Sequence, residues 1–145
     1  MGNLRETSEG IVRILAIDPG ETTGYVLFRS DGFIETSGNL RPDDILQSPL
    51  VQYSKETDLN VVMERGPELG KLTQTLRTAF GLLDRLFPLA DRVGPGEWKP
   101  ITIFERVEMT TPAPTKHQLD AFKMGLYFYW RETSVLLLSG TSIGG

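Results

Sequence analysis

An apolar strand that ends in a carboxylate and turns back at once constrains the fold of this chain more than any other feature. Residues 14–17 are Ile-Leu-Ala-Ile, Asp18 follows them, and Pro19-Gly20 forces a turn. Residues 23–29 then predict a second strand, which gives a β-hairpin with Asp18 at its open end. Asp-Pro-Gly is also favoured turn chemistry. A functional role for Asp18 therefore depends on other carboxylates reaching the same place.

A later apolar strand, predicted over 60–65, also carries a carboxylate near its end. Glu64 is followed by Arg65 and then Gly66-Pro67, much as Asp18 is followed by Pro19-Gly20. Strands predicted over 11–18, 23–29 and 32–39 form an antiparallel meander, and 42–54 predicts a helix that Pro49 breaks or bends. A crossover through that helix makes the strand over 60–65 parallel to the first strand. We therefore expect Asp18 and Glu64 to meet at one sheet edge.

The second half of the chain predicts two longer helices and a short strand. Apolar residues recur every three or four positions over 69–86, a spacing that suits packing on the sheet or pairing with a second copy. A fifth strand is predicted near 90–94 and a short helix near 98–107, in which Trp98 is expected to be a core or lid contact. Thr115 is a candidate N-cap for a helix over 116–131. On that helix His117 and Asp120 share one face.

The composition predicts one α/β domain. The chain has 145 residues, 39% of them hydrophobic, which suffices for one core. We expect a flexible N-terminus over 1–10, the domain over 11–133 and a tail over 134–145. Because there is no cysteine, disulfides, cysteine-ligated metals and a thiol nucleophile are excluded. With no apolar run near the ~20 residues that span a bilayer and no signal-peptide core, a cytoplasmic location is expected.

The net charge of −4 argues mildly against a nucleic-acid partner. The distribution of charge matters more, because a divalent ion in a carboxylate cluster reverses the local sign. Basic residues in the second half of the chain can form a rim around an acidic centre, although scattered surface charge explains any single one of them. They are Lys71, Arg77, Arg85, Arg92, Lys99, Lys116 and Lys123.

Three carboxylates and an imidazole at one sheet edge predict a hydrolytic metal site. Oxygen-rich sites suit Mg²⁺ or Mn²⁺, and two such ions roughly 4 Å apart can clamp the attacking and leaving oxygens of a phosphodiester. The reaction that this pattern favours is phosphodiester hydrolysis without a protein nucleophile.

The ordered motifs resemble those of the RuvC-type Holliday junction resolvases, within the ribonuclease H-like superfamily. They are Ile17-Asp18-Pro19-Gly20 with Thr23-Gly24, then Val62-Met63-Glu64, then His117-x-x-Asp120-Ala121, and the resemblance covers about residues 12–131. Pro95-x-x-Trp98-Lys99, followed by a lysine before the last helix, resembles the variant in phage-encoded members. One departure is that residues 65–71 contain no aromatic side chain in place of the family's wedge.

The resemblance implies a ribonuclease H-like fold, with a five-stranded mixed sheet (strands 1–3 antiparallel, strands 4–5 parallel) flanked by helices. It further implies a homodimer that uses two Mg²⁺ ions per active site, with Mn²⁺ as a substitute, and makes paired nicks in four-way DNA junctions; a phage-encoded member would work in the bacterial host cytosol. The residues at the positions of the family's catalytic metal ligands are Asp18, Glu64, His117 and Asp120. The expected DNA contacts are Lys71, Arg77, Lys99 and Lys116, and the expected dimer contacts are Leu72, Leu76, Phe80 and Leu83.

Other functions share parts of this pattern. A ribonuclease H-like nuclease acting on flaps, other branched DNA or RNA would use the same metals. A nucleotide-binding module of the actin and hexokinase class also opens with a strand, an Asp and a hairpin, but that class needs two such domains. A DNA-binding module without activity is disfavoured because all four expected ligand positions are filled.

Overall fold

The computed structural model describes residues 4–66, 72–111 and 113–137. The strands are β1 (Arg13–Asp18), β2 (Thr23–Arg29), β3 (Ile34–Leu40), β4 (Leu59–Glu64) and β5 (Asp91–Val93). The α-helices are α1 (Pro49–Tyr53), α2 (Gln74–Leu86), α3 (Pro95–Trp98) and α4 (Lys116–Thr133). Short 3₁₀ helices span Pro42–Gln47 and Thr102–Arg106.

The strands form one mixed sheet in the order β3-β2-β1-β4-β5. β1 to β3 pair antiparallel, whereas β4 is parallel to both β1 and β5. This arrangement confirms the predicted α/β class and the mixed sheet. Since β1 and β4 run in the same direction, their carboxyl ends lie at one edge of the sheet.

The alternation of side chains along β1 divides the core between the two sheet faces. Ile14 and Ala16 belong to a cluster with α4, whereas Leu15 and Ile17 belong to a cluster with α2 and α1. All four side chains are fully buried. The sheet is therefore covered by helices on both faces.

Close contact between α4 and the sheet depends on a glycine in the middle of the helix. A Cβ at Gly125 would lie 2.6 Å from the ring of Phe28 and 2.9 Å from Cβ of Ala16. The ring of Phe122 meets that of Phe28 edge to face at 5.3 Å. This packing sets the distance between α4 and the sheet, and with it the position of the first turn of α4 at the sheet edge.

Three predicted helices differ in the structure. The helix predicted over 42–54 is a 3₁₀ helix followed by α1, because Ser48 caps a new start at Pro49 through its hydroxyl. The helix predicted over 69–86 begins at Gln74, after the N-cap Thr73, and residues 67–71 lie outside the described residues. The helix predicted over 98–107 is divided into α3 and the second 3₁₀ helix.

The ends of the described chain pack against the sheet. Leu4 lies against the core, and the backbone N–H of Arg5 donates to Oδ1 of Asn60 at 2.8 Å. Leu137 is buried in the same core cluster as Ile14. A flexible segment over 1–10 stays a prediction, although these contacts hold its described part against the sheet. Within the described ranges, no helix combines the length and apolarity needed to cross a membrane.

Candidate active site

Two carboxyl groups meet at the shared end of β1 and β4. The parallel register pairs Ile17 with Met63, which puts Asp18 and Glu64 next to each other. The two carboxyl groups act electrostatically on each other, and only 9% of Asp18 is exposed. The sequence therefore predicted this meeting correctly.

Burial and neighbouring negative charge raise the pKa of both groups. Burial, followed by the negative charge of Asp120, raises the pKa of Asp18 to about 6. Burial and the charge of Asp18 raise the pKa of Glu64 to about 7. The two neighbouring acids therefore favour the bound proton until a cation neutralises them.

The first turns of α4 bring an imidazole and a third carboxylate to the pair. Nδ1 of His117 lies 3.6 Å from Oδ2 of Asp18. Asp120 acts electrostatically on both Asp18 and Glu64. The four predicted ligand residues thus lie at one end of the sheet.

A capping box and two side-chain bonds to β3 hold the start of α4. The hydroxyl of Thr115 accepts from the backbone N–H of Gln118, whose Oε1 accepts from the backbone N–H of Thr115 at 2.8 Å. The Thr115 hydroxyl donates to Oδ1 of Asn39 at 2.7 Å. Nε2 of Gln118 donates to the hydroxyl of Ser37 at 3.1 Å. Thr115 is therefore the predicted N-cap and also an anchor to the sheet.

Two of the predicted DNA contacts lie beside the acids. The positive charges of Lys99 and Lys116 lower the pKa of Asp18, against the larger effect of burial. Both side chains are exposed. Arg77 is exposed on α2, which packs on the other sheet face, and Lys71 lies outside the described residues.

The predicted dimer contacts divide into two groups. Leu72, Leu76 and Phe80 are half-buried, whereas Leu83 is fully buried in the cluster with Leu15. Leu83 therefore belongs to the core of its own chain, because that side of α2 faces the sheet. This removes Leu83 from the surface that a partner could contact.

Carboxylate oxygens and an imidazole nitrogen are suitable donors for Mg²⁺ or Mn²⁺. Within the described ranges, no group of three or more His, Cys, Asp or Glu side chains is arranged to hold a metal ion as it stands. The donor set of three carboxylates and one imidazole fits a hard divalent ion when the carboxyl groups are deprotonated.

Gly24 and Gln118 were not assigned a structural role at the site from the sequence, and Lys123 was named only as part of a possible basic rim. Gly24 lies beneath the first turn of α4, and Gln118 ties that turn to β3. Lys123 lines a pocket together with Lys99, Lys116 and Asp120. Its spacing of three from Asp120 and seven from Lys116 places it on the same helix face, which is the signal that could have identified it.

No protein-family model matches the chain, and no curated protein matches it in sequence. The fold is similar to solved structures. One is the Thermus thermophilus RuvC structure, with a TM-score of 0.56, 14% identity, and coverage of 83% of this chain and 96% of that chain. Another is T. thermophilus RuvC in complex with Holliday junction substrate, with a TM-score of 0.59, 14% identity, and coverage of 82% and 94%. The chain therefore has the RuvC-like, ribonuclease H-like fold.

Proposed function

We propose that the chain is a metal-dependent endonuclease that resolves four-way DNA junctions by paired symmetric nicks. The observation that carries this proposal is the buried Asp18–Glu64 pair, with His117 and Asp120 beside it, at the end of a ribonuclease H-like sheet. Burying several acidic groups together costs folding free energy, and such groups are typical of functional sites. A cationic ligand would offset that cost.

The choice of substrate is supported by the structural comparison. One of the similar structures is a RuvC protein bound to a Holliday junction. Lys99 and Lys116 supply positive charge beside the acids, which suits a phosphate backbone. A four-way junction is therefore the first substrate to test, ahead of flaps and RNA–DNA hybrids.

The side chains of the site have separable tasks. Asp18, Glu64, His117 and Asp120 would hold the metal, with the carboxyl groups in their deprotonated form. When bound, divalent metal would supply an activated water and neutralise charge on the leaving oxygen. Lys99 and Lys116 would hold the scissile strand by its phosphates and keep it aligned with the acids.

A homodimer would present two such sites to two symmetric strands. On α2, Leu76 and Phe80 are half-buried and four residues apart, so they share one face of the helix. Leu72 precedes the helix and is also half-buried. We include this face in the proposal as the dimer contact. Leu76→Glu should then lower the mass measured by light scattering from that of a dimer to that of a monomer.

The deciding experiment compares Mg²⁺-dependent cleavage of four labelled substrates. They are an immobile four-way junction, a flap, a linear duplex and an RNA–DNA hybrid. Asp18→Asn and Glu64→Gln should bind the junction but lose cleavage. Lys55→Gln is the control, since Lys55 is an exposed lysine before β4, at the opposite end from Glu64.

Each outcome has a distinct meaning. Symmetric nicks confined to the junction would establish the resolvase. If flaps or hybrids are cut equally well, the metal-dependent mechanism still holds but the assigned substrate is wrong. If Asp18→Asn cleaves at the unmutated rate, the assignment of the metal site is wrong, and no cutting of any substrate would favour a binding module.

A further inference from the structure

Asp18, Glu64 and Asp120 form a group that we call the acid cluster. A pocket opens directly beside it, between α3, the second 3₁₀ helix and the first turns of α4. Its volume is about 220 Å³. One water occupies roughly 30 Å³ in the liquid, so the pocket accommodates a polyatomic group. The residues that matter for its chemistry are Trp98, Lys99, Glu105, Lys116, Asp120 and Lys123. We call this space the lysine pocket.

Positive charge is concentrated in the lysine pocket although the chain as a whole is acidic. The chain has five lysines and a net charge of −4, and three of those lysines line this pocket. Only two carboxylates, Asp120 and Glu105, line it with them. None of the three ammonium groups forms an ion pair with another described residue. The pocket therefore carries surplus positive charge that no described side chain neutralises by direct contact.

An aromatic side chain, Trp98, forms part of the wall next to Lys99. The indole N–H of Trp98 is buried and has no hydrogen-bond partner in the described part of the chain. Indole and ammonium groups donate hydrogen bonds and accept none. Nζ of Lys99 lies 5.6 Å from the Trp98 ring centroid, in a cation–π contact. Three ammonium groups against two carboxylates favour an oxyanion as the occupant.

The geometry of α4 links this pocket to the acid cluster. Lys116, Asp120 and Lys123 are spaced by four and three residues, so they form one row along the helix. Asp120 stands in the middle of that row and acts electrostatically on Asp18 and Glu64. A phosphate in the pocket would therefore lie one helical turn or less from the acids.

We propose that the lysine pocket binds a backbone phosphate of the cut strand, next to the scissile phosphate, with Lys123 as its distal contact. This inference rests on the proposed nuclease function, and it adds where a neighbouring phosphate binds and that Lys123 contacts it. Because the pocket lies on one side of the acid cluster only, an occupied pocket fixes the direction in which the strand crosses the site.

The test replaces individual phosphates of the DNA with uncharged ones and measures the effect of each on binding. Methylphosphonate linkages replace single phosphates, one at a time, across the crossover region of a four-way junction, and affinity is measured by fluorescence anisotropy in EDTA. Unmutated protein, Lys123→Gln and the control Lys55→Gln are compared, after thermal melting shows that all three are folded. Binding in EDTA keeps the readout independent of cleavage.

We expect one phosphate whose contribution to affinity depends on Lys123, which we call the coupled phosphate. Neutralising this phosphate should weaken binding about tenfold in the unmutated protein and in Lys55→Gln. In Lys123→Gln the same neutralisation should change the affinity very little. The slope of log affinity against log salt should also fall by about 0.9 in Lys123→Gln, as for one lost phosphate contact. Cleavage mapping should place the coupled phosphate next to the nick.

Three results would overturn the inference, and they are distinguishable. If the same methylphosphonates weaken Lys123→Gln and the unmutated protein equally, Lys123 contacts no phosphate. If the coupled phosphate lies away from the nick, the pocket is not part of the cutting site. If no branched DNA binds at all, the proposed function fails and this inference fails with it.

Discussion

Gly24 of β2 lies directly under the backbone of His117 at the start of α4. A Cβ at Gly24 would collide with the carbonyl carbon and oxygen of His117. Gly24 is also the antiparallel partner of Asp18 in the sheet. The absence of a side chain at one position therefore lets the helix that carries His117 and Asp120 descend onto the strand that carries Asp18.

Gly24→Ala should displace the first turn of α4 and impair cleavage more than folding. Overpacking of this kind costs about 1–3 kcal/mol of unfolding free energy, whereas a shift of roughly 1 Å at a catalytic group can lower the rate about a hundredfold. Cleavage kinetics and urea denaturation measure the two effects. Gly81→Ala is the control, since a Cβ there meets nothing within 4 Å on an exposed face of α2. That variant should gain roughly 0.5–1 kcal/mol and keep its activity; equal activity in both variants would contradict the role of Gly24.

The sequence predicted the strand-end acids because their determinants are local. Short continuous apolar runs and turn chemistry mark β1 and β4, and the parallel crossover then places Asp18 beside Glu64. The role of Gly24 could not be predicted, because it depends on the height at which α4 crosses β2. Leu83 was wrongly placed at a dimer surface, since apolar spacing identifies a helix face without showing what it packs against.

Divalent metal should stabilise the protein through the acid cluster. A ligand that binds only the folded state raises the free energy of unfolding, by about 2.7 kcal/mol at a hundred times its dissociation constant. Melting curves with EDTA, Mg²⁺ and Mn²⁺ should therefore show a higher midpoint with metal in the unmutated protein. Asp18→Asn removes a negatively charged donor and should lose most of that shift. An equal shift in Asp18→Asn would move the metal away from β1.

In EDTA, the acid cluster should make stability fall as the pH rises. Folding raises the pKa of Asp18 from its ordinary value of 3.8 to about 6, so the folded state binds the proton more tightly than the unfolded state does. The associated stability is complete below pH 3.8 and is lost as the pH rises through about 6. Burial of Glu64, whose pKa is raised from 4.5 to about 7, extends the loss to higher pH.

Asp18→Asn should remove much of this dependence. At pH 8 in EDTA it should be more stable than the unmutated protein by about 2 kcal/mol, while near pH 4 the difference should vanish. His117, Asp120, Lys99 and Lys116 face the cluster in both proteins, so the comparison changes the Asp18 carboxyl alone. Urea denaturation at a series of pH values measures the difference; a gap that does not change with pH would show that the Asp18 carboxyl is not the source.

At the opposite end of β1, Arg13 joins two acidic side chains by hydrogen-bonded ion pairs. Nε of Arg13 lies 2.9 Å from Glu35, and Nη1 lies 2.7 Å from Glu56. Only 16% of the Arg13 side chain is exposed, so Arg13→Gln leaves two partly buried carboxylates without their partner. We expect a loss of about 1–2 kcal/mol of unfolding free energy with cleavage by the folded protein unchanged, because the site lies at the other end of the strand. Arg29→Gln, which breaks an exposed pair with Asp31, should cost less in the same urea titration. Loss of cleavage in folded Arg13→Gln would mean that this ion-pair network acts on the site through the sheet.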